Sequence, residues 1–182
     1  FNSIDINVKT YENNKESGTA VLSGISGGVD SFYTLMRYSQ PDCEYPITHG
    51  ICANVGAYGG YDSDNQNRLY HVAEDVCKAM NLGLIYVKSN IMLEVYKKQM
   101  ATNVSFVYMS MGLALQNLVH IYYFSSDVDA GKFNFNEINA EEYDIFNVHM
   151  FSNGRTLFYS TGSEVTRMEK IDYISNLSLI HI

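Results

Sequence analysis

The stretch Ser26-Gly27-Gly28-Val29-Asp30-Ser31 joins the end of an apolar run, Thr19 to Ile25, to a segment of helical character, Phe32 to Tyr38. No other feature constrains the chain as strongly, because a strand that enters a helix through a glycine turn leaves the first helical amides facing outward. Gly27 and Gly28 admit backbone conformations closed to side chains and let N–H groups approach an anion closely. Those first amides have no partner within the helix and sit at the positive end of its dipole, so a pyrophosphate there would be held by several charge-assisted bonds. Ser26 and Ser31 add hydroxyl donors. Asp30 is the odd member, since a carboxylate repels a phosphate unless a cation stands between them. It is expected either to cap the helix or to contact Mg²⁺.

The rest of the chain alternates strands with helices. Ile4 to Val8 reads as an edge strand and Ala20 to Ile25 as the first central strand. The helix Asp30 to Ser39 follows, stopped by Pro41. Pro46 to Asn54 is a second strand, and Asn65 to Met80 a helix with Leu69, Val72, Val76 and Met80 at helical spacing. Leu84 to Val87 is the third strand. Helices over Ile91 to Thr102 and Val104 to His120 precede the strand Ile121 to Phe124, then a helix over Asp129 to Phe135. The apolar end, Leu177 to Ile182, reads as a last strand. This order predicts an α/β fold, a three-layer sandwich with a mainly parallel twisted sheet of Rossmann-like type, in a single domain over residues 1–182. Ligands of such sheets sit at the carboxyl ends of the strands near a topological switch point. The first glycine turn, the Asn54 to Tyr61 loop and the Ser125-Ser126-Asp127 turn then share one rim.

Composition narrows the function classes. The 182 residues are 46% hydrophobic and 18% charged, as in a globular protein. No apolar run approaches the length of a membrane span. A net charge of −8 argues against nucleic acid as a partner, because a large phosphate-binding surface needs many basic residues. Three cysteines, Cys43, Cys52 and Cys77, lack Cys-x-x-Cys spacing and read as reduced thiols of a cytoplasmic protein. His49, His71, His120, His149 and His181 show no metal-ligand spacing, and no Gly-x-Ser-x-Gly elbow occurs. A chain that begins at Phe1 reads as an excised part of a longer protein.

The Ser26–Ser31 hexapeptide resembles the signature of the PP-loop superfamily, the N-type ATP pyrophosphatases, which includes GMP synthetase, asparagine synthetase, 7-cyano-7-deazaguanine synthase and several tRNA-modifying enzymes. It is neither a Walker loop nor a dinucleotide fingerprint. The resemblance implies an adenine nucleotide alpha-hydrolase-like (HUP) fold with ATP and Mg²⁺ as cofactors. An acceptor oxygen would attack the α-phosphorus and pyrophosphate would leave from the cradle. It implies phosphate binding by Ser26, Gly27, Gly28, Val29, Asp30 and Ser31, with Asp30 also catalytic and the metal carboxylate. It further implies a nucleoside role for the Ala53 to Gly56 backbone, at Asn54; the loop's own residues would let Tyr58 or Tyr61 stack on a base, or form an ordinary glycine-rich loop. Ser125 would stand close to the phosphates and the acceptor, although the Ser125-Ser126-Asp127 turn also suits a helix cap.

A second segment, Thr161 to Ile171, is similar to the Thr-Lys-x-Glu-Ile stretch of several PP-loop enzymes. Thr166, Arg167 and Glu169 match in kind, and Ser160-Thr161-Gly162 replaces the usual Pro-Leu. The match implies that Arg167 clamps the leaving pyrophosphate and that Lys170 contributes to the nucleotide site. A helix capped at Ser163 with solvated charges is the competing reading. The family context implies a small-molecule acceptor, further domains of the same polypeptide and an amide-forming ligase or amidotransferase, and leaves homo-oligomer formation open. A nucleotide-binding module without catalysis and a tRNA- or nucleobase-modifying enzyme are the alternatives.

Overall fold

A computed structural model describes residues 18–57, 60–95, 104–132 and 144–180. The expected edge strand Ile4 to Val8 lies outside them. The strands are β1 (Ala20–Gly24), β2 (His49–Asn54), β3 (Gly83–Lys88), β4 (Val119–Ser125) and β5 (Leu157–Thr161). They form one sheet in the order β3-β2-β1-β4-β5, with every pairing parallel. The helices are α1 (Val29–Tyr38), α2 (Asp64–Ala79), α3 (Ile91–Glu94), α4 (Val104–Ala114), α5 (Asp144–Met150) and α6 (Arg167–Ile180). The three-layer α/β sandwich is therefore present as expected.

Burial on both faces of β1 sorts the core into two layers. Val21 and Ile25 join Leu35 of α1 and Leu69, Ala73 and Cys77 of α2 on one face. Ala20 and Leu22 join Met109 of α4, Val148 of α5 and Phe158 of β5 on the other. Successive strand residues point to opposite faces, so a short apolar strand in the middle of the sheet feeds both layers.

The α2 face is rotated from the expected one. Gln66, Leu69, Ala73 and Cys77 are buried, whereas Val72 is 38% exposed. Small residues at 73 and 77 let the helix close on β2. The fit is tight: a side chain at Gly50 would fall 2.7 Å from the Cys77 sulfur.

The helix starting at Val104 ends at Ala114 rather than reaching His120, because Leu118 N donates to the Leu115 carbonyl at 2.8 Å and closes a turn. Residues 119 and 120 are thereby released into β4, which begins two residues earlier than expected. Residues 130–132 form a single 3₁₀ turn where a longer helix was expected, and residues 133–143 lie outside the described residues. Of the apolar end, residues 177–180 belong to α6 and not to a strand, and residues 181 and 182 lie outside the described residues. Neither β5 nor α5 figured in the sequence reading.

Helix α4 is apolar around its circumference, as suits a helix packed between the sheet and α5. Gly112 permits the contact, since a Cβ there would lie 2.5 Å from the Phe158 ring and 3.1 Å from Tyr122. Gly112→Ala should therefore destabilise the fold by about 1–3 kcal/mol despite its gain in helix propensity. Urea melts check this; an unchanged or raised midpoint would show that α4 can shift freely away from the sheet.

Candidate functional site

Chain connections leave β1 toward α1 on one face of the sheet, while β4 is reached from α4 on the other. The carboxyl ends of these adjacent strands open a cleft of about 270 Å³ lined by Ser26, Asp30 and Ser31 on one side and Val104, Tyr108, Tyr122 and Phe124 on the other, with Ser125 and Asp127 at the end of β4. This is the switch-point position expected of the fold.

The turn between β1 and α1 is built as the sequence suggested. Gly27 has φ +76°, a left-handed conformation that favours glycine. Gly28 is the N-cap residue and, lacking a side chain, leaves the amides of Val29, Asp30 and Ser31 uncapped at the head of the helix. The two serines brace the turn: the Ser31 hydroxyl donates to the Gly28 carbonyl at 3.0 Å, the Ser26 hydroxyl donates to Ser31 Oγ at 3.1 Å, and Gly28 N donates to Ser26 Oγ at 3.3 Å. Ser31 is buried and Ser26 exposed, so Ser26 is the hydroxyl better placed to turn toward a ligand.

Asp30 does not cap its helix. Its Oδ1 accepts from Lys170 Nζ at 2.8 Å, and its Oδ2 faces an Arg167 guanidinium nitrogen at 3.5 Å. The two cations come from one turn of α6, and that turn starts where it does because of a capping box. Thr166 N and Thr166 Oγ1 both donate to Glu169 Oε2, at 2.7 and 2.8 Å, and Glu169 N donates back to Thr166 Oγ1. These bonds hold the Glu169 carboxyl below its ordinary range, the Thr166 amide contributing most. The cap thus falls at Thr166, not at Ser163. Three residues apart, Arg167 and Lys170 share a helix face and reach the same carboxylate.

Lys170 is the deeper cation, with 2% of its side chain exposed against 64% for Arg167. It enters the interior past Gly162, whose φ is +83° and whose Cβ would lie 3.2 Å from Lys170 Cε. Its ammonium also donates to the Ser126 carbonyl at 2.7 Å. Contacts along α1 hold both the end of β5 and α6 so that this reach is possible: Thr34 Oγ1 meets Thr161 Oγ1 of β5 at 3.1 Å, and the Tyr33 ring packs edge to face on Tyr173 of α6 at 5.3 Å.

The remaining expected residues divide. Ser125 lines the cleft with its hydroxyl buried and, among the described residues, without a hydrogen-bond partner. Asn54 is buried at the end of β2 and its side chain holds the following loop, donating to the Tyr61 carbonyl at 2.6 Å and accepting from Gly56 N at 3.3 Å. The Tyr61 ring packs on Gly56, and its hydroxyl donates to the Ser89 carbonyl; Tyr58 lies outside the described residues. The base-stacking role considered for Tyr61 therefore finds no support in its placement.

Asp144, at the start of α5, was not singled out by sequence. It is 1% exposed and accepts from the Ser126 hydroxyl at 3.1 Å. Burial pushes its carboxyl up to about 6, against the Ser126 bond; the charge of Asp127 adds to the rise, while the Ile145 amide and Lys170 oppose it. A carboxyl with a raised native pKa binds its proton more tightly folded than unfolded. Its contribution therefore falls as pH climbs from about 4 to about 6. Asp144→Asn should then gain thermal stability relative to wild type as pH rises through that interval. Melting temperatures at pH 3.5 to 7.5 test this, and a difference independent of pH would contradict it.

No family model and no curated protein matches the sequence. Among solved structures the fold is similar to that of the U34-tRNA thiolase NcsA from Methanococcus maripaludis, determined with its [4Fe-4S] cluster, with a TM-score of 0.61 at 12% identity. The match covers 92% of this chain and 59% of the thiolase, so this chain spans less than two thirds of that protein. At that identity the likeness is one of fold: this chain and the thiolase share the α/β sandwich described above.

Proposed function

We propose that the cleft binds ATP with Mg²⁺ and that the chain transfers the adenylyl group to an acceptor, releasing pyrophosphate. The observation that carries this reading is the uncapped head of α1 at a switch-point cleft, where Asp30 lines the cleft and is paired from behind with Lys170 and Arg167. Several N–H donors and two cations suit an anion of high charge, and positioning with electrostatic stabilisation is the main work of phosphoryl chemistry.

The residues present fit the magnesium nucleotide. A carboxylate offers about four acceptor sites, so Asp30 retains capacity for magnesium or its water while paired with the two cations. Magnesium, when bound, would supply charge neutralisation at the phosphates. Asp30 orients Lys170 and Arg167, the α1 amides and Ser26 receive the β and γ phosphates, and Arg167 follows the leaving pyrophosphate because it is exposed and held by one long contact. The apolar wall of Val104, Tyr108, Tyr122 and Phe124 excludes water from the acceptor side. An amide-forming ligase or amidotransferase with a small-molecule acceptor remains our first reading of the whole reaction, completed by further domains of the same polypeptide.

The thiolase fold favours a second reading, modification of a nucleobase or tRNA. With a net charge of −8, RNA contacts would need basic surface beyond this chain. An iron–sulfur cluster does not fit the cysteines here. Cys52 and Cys77 are buried in the core between β2 and α2, with burial pushing the Cys52 thiol up to about 11, and Cys43 lies in the loop after α1.

Incubation with ATP and Mg²⁺ should yield AMP and pyrophosphate; chromatography showing only ADP and phosphate would contradict the proposal. In a calorimetric series, Arg167→Ala should weaken pyrophosphate and ATP by about 1.5–3 kcal/mol while sparing AMP. Equal small losses for every ligand would instead mark Arg167 as an exposed charge, whose pairings contribute under about 1 kcal/mol.

A further inference from the structure

A buried carboxylate behind the cleft is left without a task by the reading above. Asp144 lies outside the cleft lining, yet its Oδ1 is 3.1 Å from the hydroxyl of Ser126. Ser126 links three elements. Its amide donates to the Thr161 carbonyl of β5 at 2.9 Å, its Oγ accepts from Val128 N at 3.1 Å, and its carbonyl receives Lys170 Nζ at 2.7 Å. Lys170 in turn donates to Asp30 at 2.8 Å. Hydrogen bonds therefore run from α5 through the turn after β4 and through α6 to the phosphate turn at the head of α1.

The Ser126 amide belongs to the sheet, but its hydroxyl has competing acceptors, Asp144 Oδ1 at 3.1 Å and the Val128 carbonyl at 3.5 Å. With Asp144 as acceptor, Ser126 Oγ is held where it accepts from Val128 N, and the 126–128 turn stays closed. Closure of that turn aims the Ser126 carbonyl at Lys170. A buried ammonium needs its donors satisfied, and Asp30 with Ser126 accounts for two of its three. Without an aimed carbonyl at 126, the ammonium is drawn toward Asp30 alone and away from the β4 side of the cleft.

We infer that Asp144 is a positioning residue of the nucleotide site: by holding the Ser126 hydroxyl it fixes the carbonyl that carries Lys170 beside the phosphate turn. The inference rests on the reading of the cleft as a nucleotide site. It assigns Asp144 no contact with ligand, and the element that transmits its effect is the 126–128 turn.

Calorimetry with pyrophosphate, and with adenosine as a ligand without phosphate, tests it on wild type, Asp144→Asn, Asp144→Ala, Ser126→Ala and the double Asp144→Ala/Ser126→Ala. Asparagine retains an acceptor oxygen for Ser126 and should keep pyrophosphate affinity within about twofold of wild type. Each alanine variant should lose about fivefold, the size of one hydrogen bond, and the double should lose no more than the weaker single because both act through one path. Adenosine affinity should not move.

Losses that add in the double, an asparagine variant as weak as the alanine, or equal losses for adenosine and pyrophosphate would each overturn the inference. Should Asp144→Ala fail to fold in a thermal melt, Asp144→Asn against Ser126→Ala still decides, since the inference requires the first to bind and the second to weaken. Wild type that binds neither pyrophosphate nor ATP would overturn the functional reading itself, and the inference with it, an outcome seen before any variant is made.

Discussion

The ion pair between Lys170 and Asp30 is the interaction on which the site depends. It joins the last described helix to the first and draws the head of α1, the turn after β4 and the start of α6 to a common point. Both partners are largely removed from water, so the pair does not stand on Coulomb attraction alone; burying the ammonium is tolerable because the Ser126 carbonyl supplies a second acceptor. Loss of either partner would strand a charge in the interior, which typically costs about 3–5 kcal/mol. Gly162, the capping box at Thr166 and Glu169, and the Thr34–Thr161 contact all serve to bring Lys170 to its position.

On the proposed reading, that geometry would separate two tasks within one cleft. The α1 side carries free amides, hydroxyls and cations, as polyphosphate binding requires. The β4 and α4 side presents aromatic and aliphatic surface with Ser125 and Asp127 at its edge. A nucleotide held on the first side would present its α-phosphate toward the second, where an acceptor could be enclosed with little water. Arg167 and Lys170 share a carboxylate but differ in freedom. The exposed arginine can follow departing phosphates, while the buried lysine keeps the turn in place.

The β1–α1 unit was readable because everything that shapes it is local: an apolar strand, two glycines and a helix start within a dozen residues. The parallel sheet followed from the alternation of strands and helices. Other features depended on distant partners. Helix α4 stops at Ala114 because a turn at Leu115 to Leu118 and pairing with β1 claim the next residues. The five-residue β5 escaped notice because only Phe158 and Thr161 are fully buried in it. The terminal run Leu177 to Ile182 reads as a strand by composition, but the capping box at Thr166 and Glu169 and docking on α1 carry its described residues, 177–180, into α6. At the site, the motif drew attention to Arg167, whereas burial shows Lys170 to be the deeper cation. Asp144 had no signal, because its significance lies in a contact with Ser126 across 18 positions of sequence.

On the proposed function, the turn from Ser26 to Ser31, held by Lys170 through Asp30, receives phosphate. Backbone amide NMR during a pyrophosphate titration in the presence of Mg²⁺ tests it most directly. The amides of Gly27, Gly28, Val29, Asp30 and Ser31 should shift first and furthest, accompanied by Ser126 and Lys170. Shifts centred instead on the exposed Tyr70–Tyr86 face of α2 and β3, or none anywhere in the spectrum, would contradict it.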